Sequence, residues 1–187
     1  MKEKPMWCNF YCKKLNLLCL IWLLLVVLPA DAAAPDWHSA LPQARLVGQG
    51  ELRWFGLSIY TAILWSEQNP FDTQHPFALQ LTYHRHISRE RFVNTSIEEI
   101  KRLFGQRFTA DKLREWETLM SQAFPDVDDG DQLIGIFIPY QGCRFYDKNG
   151  LRTEINDPEF AQAFFSIWLD PRSKDNKLRE HLLGIAR

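Results

Sequence analysis

Residues 44–66 read ARLVGQGELRWFGLSIYTAILWS, and this stretch decides the fold. Two runs, 44–54 and 57–66, are rich in Leu, Ile, Val, Tyr, Thr and Trp, the residue types that suit a pleated surface. Between them stands Phe55-Gly56-Leu57-Ser58, in which Gly-x is the sequence of a two-residue type II′ turn. The segment reads as a β-hairpin. With Gly56-Leu57 as its turn, Phe55 faces Ser58, Trp54 faces Ile59 and Arg53 faces Tyr60. Directly opposed residues share a face, with Cβ atoms ~5 Å apart. Arg53 and Tyr60 are then expected to bring a guanidinium fork and a phenol donor to one point. That grip suits a carboxylate or an enolate-like oxygen, and Arg serves it better than Lys because its donors are bidentate. The competing reading is an ordinary Arg–Tyr stack on the surface.

Downstream of the hairpin, Phe77, Leu79, Leu81 and Tyr83 alternate with Gln80, Thr82 and His84, the pattern of a half-buried strand. The middle of the chain is helical. Ser88 is positioned to cap a helix carrying Phe92, Val93, Ile97, Ile100, Leu103 and Phe104 and ending at Gly105. Ser96 and Glu99 form a capping box inside it, so a break and restart is expected there. Thr109 caps a second helix, with Leu113, Trp116, Leu119, Met120, Ala123 and Phe124 at helical spacing and Pro125 as its stop. Strands follow at 132–139, 143–147 and 151–155, the last two joined by Asn149-Gly150, a strong hairpin signal. Asp157-Pro158 opens a helix with an N-cap and an N1 proline. A final helix carries Leu178, Leu182 and Leu183, closed by Gly184. Strands grouped at both ends of a helical middle indicate an α+β domain with an antiparallel sheet. Pro35 to Pro42 reads as a short polar lead-in.

The N-terminus carries an address. Lys2, Lys4, Lys13 and Lys14 precede an apolar run from Leu15 to Leu28, followed by Pro29-Ala30-Asp31-Ala32. A charged start, an apolar middle and a small-residue exit make residues 1–32 a signal peptide, with residues 33–187 as a single domain. A retained membrane anchor is the alternative, although the run is shorter than the ~20 residues of a spanning helix. The expected location is the periplasm or the outside of the cell. Membrane contact is expected only through this segment, where it is retained.

Removing it takes away Cys8, Cys12 and Cys19 and leaves Cys143, so no intrachain disulfide forms and a packed core must supply stability. The whole chain has a formal net charge of −1; the leader holds four lysines against Glu3 and Asp31, so the remainder sits near −3. A nucleic-acid partner, which wants a basic surface, is excluded on that ground. Cys143 reads as a small buried hydrophobe.

Other candidate chemistry is thin. Asp126, Asp128, Asp129 and Asp131 surround Gly130, but an EF-hand loop needs glycine at its sixth position and a carboxylate at its twelfth. Counted from Asp126, those places hold Asp131 and Phe137, so the segment reads as a solvated turn. His84 and His86 point the same way from a strand, yet the sequence nominates no further ligands for a metal. No phosphate-cradling loop, nucleophile elbow or carboxylate pair is present. Neither a cofactor nor a metal is expected.

The segment Gly48-Gln49-Gly50-Glu51-Leu52-Arg53, followed by Ile59-Tyr60-Thr61-Ala62-Ile63-Leu64-Trp65, resembles the chalcone isomerase-like family, in particular its exported bacterial branch. The resemblance continues through Leu79 to Arg85, Phe124-Pro125-Asp126-Val127 with Gly130-Asp131, and Phe164 to Pro171. It implies a curved antiparallel sheet with helices packed on one face and an apolar cavity between. Members of that family are either isomerases that close a flavonoid ring or non-catalytic relatives that hold a fatty acid. In both, an arginine on an early strand faces the ligand's anionic oxygen. On the next strand the fatty-acid binders place a tyrosine where the isomerases use a threonine. Arg53 matches the arginine and Tyr60 the tyrosine, with Thr61 leaving a one-residue ambiguity. These three are the expected ligand-binding residues. The helical region offers Asn94 but no tyrosine to complete the isomerases' catalytic set, so no catalytic residue is assigned.

Three readings follow. The first is an exported, non-catalytic binder of a small apolar carboxylate such as a fatty acid. The second is an isomerase or intramolecular lyase in which Arg53 stabilises an oxyanion. The third is a structural or partner-binding domain whose cavity is filled by its own aromatics.

Overall fold

The hydrophobic alternation of the strands closes into one sheet whose order is the order of the chain. The computed structural model describes residues 36–186, so the signal segment read over 1–32 lies outside the described residues. Six strands, β1 (Arg45–Trp54), β2 (Leu57–Ser66), β3 (Phe77–Tyr83), β4 (Gln132–Ile138), β5 (Gly142–Asp147) and β6 (Gly150–Ile155), pair antiparallel in sequence order. Helices α1 (Arg89–Phe104) and α2 (Ala110–Ala123) lie between β3 and β4 in the chain, and α3 (Pro158–Leu169) and α4 (Asn176–Leu182) follow β6. The architecture is the expected α+β antiparallel sheet with its helices on one face.

Each helix starts where a side chain meets an orphan backbone N–H. Ser88, Thr109, Asp157 and Asp175 accept from the backbone N–H of Arg91, Lys112, Phe160 and Leu178 respectively. Asp157 also accepts from the Trp116 indole at 2.9 Å and the Lys112 ammonium at 2.8 Å, tying α3 to α2. Burial pushes its carboxyl up, but Lys112, the Phe160 N–H and Trp116 outweigh that and hold it below the usual range. The expected break at Ser96 does not occur: α1 is continuous, and the Ser96 hydroxyl donates back to the Phe92 carbonyl at 2.9 Å instead of capping.

The helix-facing side of the sheet carries Leu64, Leu79, Leu81, Tyr83, Leu133 and Phe145, all buried under Ile97, Ile100, Trp116, Phe160, Phe164 and Trp168. Cys143 is 1 % exposed in this core. Gly48 and Gly50, two apart on β1, face α4: a Cβ on Gly48 would lie 2.1 Å from the His181 carbonyl oxygen, and one on Gly50 2.8 Å from Leu178 Cδ1. The absence of side chains there lets a helix rest directly on the strand.

The lead-in is less polar than it reads. Trp37 and Leu41 are buried against Ala78, Ile134, Ile136 and Tyr146 on the opposite face of the sheet. Both faces of the sheet are thus covered from within residues 36–186, which lie in one compact unit.

Candidate functional site

The hairpin that nominated the site is present, but its register differs from the expectation. The turn falls on Phe55-Gly56, both at positive φ, so Trp54 pairs with Leu57 and Arg53 with Ser58. Between that pair and the next, Leu52 with Tyr60, the ladder skips Ile59, the extra residue of a bulge on β2. A one-residue slip turns every side chain beyond it to the other face. Arg53 therefore does not oppose Tyr60. Its guanidinium lies on the outer side, 59 % exposed, donating to Glu51 Oε2 at 3.1 Å and to the Gly56 carbonyl at 3.0 Å. Thr61 is also on the outer side, its hydroxyl 2.8 Å from His84 Nε2. The predicted trio is not brought to one point.

Tyr60 alone faces the helices, and its cross-strand partner on β3 is Tyr83. The two rings meet edge to face with centroids 6.0 Å apart. The Tyr60 oxygen accepts from the Trp168 indole N–H of α3 at 2.9 Å. Tyr83 is completely buried, and its hydroxyl has no partner among the described residues. Such an orphan costs roughly 1–3 kcal/mol, and buried tyrosines normally avoid it. Burial drives the Tyr60 phenol far above its ordinary pKa; the Trp168 bond opposes this, while the charges of Asp175 and Glu99 add to the rise. Burial likewise raises Tyr83, with Tyr60 adding to the effect. Both phenols are neutral donors throughout the neutral range.

Beside them, between the sheet and the helices, is an apolar cavity of about 20 Å3 lined among others by Tyr83, Phe92, Phe124, Phe145, Phe164 and Trp168. That is room for one water molecule. Its aromatic wall is continuous: Phe92 meets Phe124 at 4.6 Å, and Phe164 meets Trp168 at 5.3 Å between centroids. A larger concavity of about 390 Å3 lies on the outer side, between the lead-in and the sheet, bordered by Trp37, Trp65, Gln80, Asp147 and Lys148. Several of its polar groups have partners: Gln80 accepts from the Trp65 indole, Asp147 pairs with Arg152 and Lys148 with Asp131. Three buried side-chain polar atoms have no partner among the described residues, Ser58 Oγ, Arg85 Nε and the Tyr83 hydroxyl, and it is Tyr83 that lines the inner cavity.

With this geometry in view, comparison with known proteins is decisive for the family. The profile of the chalcone isomerase-like family matches residues 44–184. The chain belongs to the chalcone isomerase-like family. An uncharacterized protein of Haemophilus influenzae is 32 % identical over 151 residues, spanning 79 % of this chain and 73 % of that protein. Among solved structures, a fatty-acid binding protein of Arabidopsis thaliana superposes with a TM-score of 0.58, covering 81 % of this chain and 89 % of that one. At 11 % identity this last likeness shows a shared fold.

Within this chalcone isomerase-like domain, the sequence reading missed Tyr83 and Trp168 as site residues. Each was assigned to the apolar face of its element. The signal that marks them is chemical: both stand at inward positions yet carry a polar atom that must find a partner.

Proposed function

We propose that this chain is an exported, non-catalytic binding protein for one small apolar molecule with an oxygen-bearing head group, a fatty acid being the leading candidate. The observation that carries this reading is the buried, unpartnered Tyr83 hydroxyl at the edge of an aromatic-walled cavity. A ligand oxygen accepting from Tyr83 relieves that orphan, and the Tyr60 hydroxyl beside it supplies a second O–H. Family membership and the fold shared with a fatty-acid binding protein support the class of ligand.

The cavity of about 20 Å3 must enlarge to take an acyl chain, since drug-sized ligands fill roughly 300 Å3 or more. Phe92, Phe124, Phe164 and Trp168 occupy that space by edge-to-face and stacked contacts, and a ligand chain that displaces them replaces one set of dispersion contacts with another. The head is bound in its neutral form. The donors are uncharged, Asp175 and Glu99 bear negative charge toward Tyr60, and Arg53 lies on the other face. With Arg53 on the other face, an ionised carboxylate placed at the two phenols is desolvated without that guanidinium to offset the cost. Affinity for a fatty acid is expected to fall as pH rises through the acid's own pKa, because the carboxylic acid binds and the carboxylate does not.

Lipid extraction of the protein purified from its native host, followed by mass spectrometry and by displacement of a fluorescent fatty acid at several pH values, tests the proposal. Co-purifying lipid and an affinity that weakens with rising pH are expected. Absence of lipid together with no measurable affinity would sink it. The small cavity favours a second reading in that case, a domain whose interior is permanently filled by its own aromatics and whose surface does the work. The isomerase reading loses the cation it relied on, because Arg53 does not face the cavity. Export rests on residues 1–32, and amino-terminal sequencing of the protein recovered from the cell envelope tests it.

A further inference from the structure

The far end of the β1–β2 hairpin carries a cluster of exposed apolar side chains. Trp54 is 63 %, Phe55 89 % and Leu57 53 % exposed, and the Trp54 and Phe55 rings lie 5.4 Å apart. The turn that holds them is unusual in its residue choice. Phe55 has φ 48 and Gly56 φ 79, a pair of left-handed positions where Asn-Gly or Asp-Gly fits without strain. A bulky aromatic at positive φ is strained, and this one buries almost nothing that would offset the strain. Neither turn propensity nor packing accounts for Phe55.

We propose that this hairpin end is a contact for a lipid surface, seating Trp54, Phe55 and Leu57 in the interfacial layer of a bilayer. Three observations favour a bilayer over a protein. The projection is convex, and its three side chains offer roughly 400 Å2 of exposed area by the usual size of aromatic side chains. A stable dimer or complex needs about twice that from each partner. The backbone is prepared for an apolar medium as well. Arg53 donates from Nη2 to the Gly56 carbonyl, so the turn does not carry that oxygen bare into the headgroup layer. Glu51 meets the charge of the same guanidinium, which leaves the end of the hairpin neutral overall. With that neutrality and an acidic domain, attachment rests on apolar area rather than on attraction to anionic lipid. The sequence expects membrane contact only through residues 1–32; this contact belongs to the folded domain and is independent of the interior site at Tyr83.

The test uses the protein beginning at residue 33, which keeps every described core residue and is first checked for a cooperative melt, and flotation with phosphatidylcholine vesicles. The unaltered domain is expected to float with the vesicles and to do so equally at about 0.05 M and about 0.5 M salt, a range that collapses electrostatic attachment. The triple variant W54S/F55S/L57S is expected to lose about tenfold or more of that partitioning, as removal of the inserted apolar area requires. Phe55→Asn is the control for a structural role. It suits the left-handed turn, so the melting temperature is expected to hold or rise while partitioning falls. The proposal is overturned by no flotation of the unaltered domain, by equal flotation of the triple variant, or by flotation confined to anionic vesicles at low salt. A lipid-free dimer that the triple variant abolishes also overturns it, by giving the surface to a second copy.

Discussion

Two tyrosines a cross-strand step apart have opposite relations to their neighbours. The Tyr60 hydroxyl satisfies the Trp168 indole, whereas that of Tyr83 has no partner among the described residues. Removing each oxygen should therefore have opposite signs in the ligand-free protein. Tyr60→Phe leaves a buried indole N–H unpaired and is expected to lower the free energy of unfolding by about 1–3 kcal/mol in urea titration. Tyr83→Phe deletes a group that has already lost its water, so stability is expected to hold or rise by up to about 1 kcal/mol. The same substitution should weaken fatty-acid binding about tenfold, the value of one hydrogen bond of about 1.4 kcal/mol. A loss of stability in Tyr83→Phe would mean that the hydroxyl has a partner and that the site argument is wrong. Cys143 gives a pH signature from the same core. Burial raises its thiol well above the ordinary value, with Asp157 and Glu154 adding to the rise. A group whose folded pKa is raised favours the folded state only while it is protonated in both states. Its contribution is complete below the unfolded pKa of about 8.5 and is lost above it, by about 1.4 kcal/mol per pH unit. Urea unfolding between about pH 8.5 and 10 should show that slope in the parent protein. Cys143→Ala should abolish the slope there, leaving only the later fall as the buried tyrosines join above about pH 10.

At the scale of elements, the contact between β1 and α4 depends on a missing side chain. A methyl group on Gly48 would fall 2.1 Å from the His181 carbonyl, a backbone atom that cannot swing aside. Gly48→Ala should lift α4 off the strand and cost about 1–3 kcal/mol, the usual toll of overpacking. Hydrogen exchange across Asn176–Leu182 should accelerate while the helix made by Arg89–Phe104 is unaffected; intact protection of both would refute the argument. The Gly48-Gln49-Gly50 motif was legible in the chain, but not the reason for it, because the helix it accommodates lies more than 120 residues downstream. Element identity was otherwise readable wherever one physical periodicity dominated. Alternation marked β3, and Asp157-Pro158 marked the start of α3. Where a local signal competed with packing, packing won: the capping box at Ser96 yields to a helix whose buried face runs through it without interruption. The bulge at Ile59 had no local signal, and it was the bulge, with the shifted turn, that moved Arg53 to the outer face. The inward facing of Tyr60 was legible, and Arg53 lies outward for that one reason.

At the largest scale, the described residues build a sheet with two faces, and a sheet bared on an apolar face is not soluble. The helices cover one face by design of the long hydrophobic elements; the other is sealed by the stretch that reads as a polar lead-in. Trp37 is 7 % and Leu41 3 % exposed, seated on Ala78, Ile134, Ile136 and Tyr146, and Trp37 lies 5.8 Å from the Trp65 ring. Pro35, Asp36, His38 and Ser39 surround the two anchors in the sequence, and a single pair four residues apart is too short a run for periodicity to mark. A protein trimmed to begin at Arg45 loses both anchors and exposes the strand positions beneath them. It is expected to aggregate at concentrations where a protein beginning at residue 33 remains monomeric by light scattering. Trp37→Ala is the milder version. It should cost about 3–5 kcal/mol, as deletion of a buried tryptophan does. Fatty-acid affinity per folded molecule should be unchanged, because Tyr60, Tyr83 and the aromatic cavity are on the other side of the sheet. Loss of affinity with full retention of stability would reverse that assignment and move the binding site to the outer concavity that Trp37 helps to form.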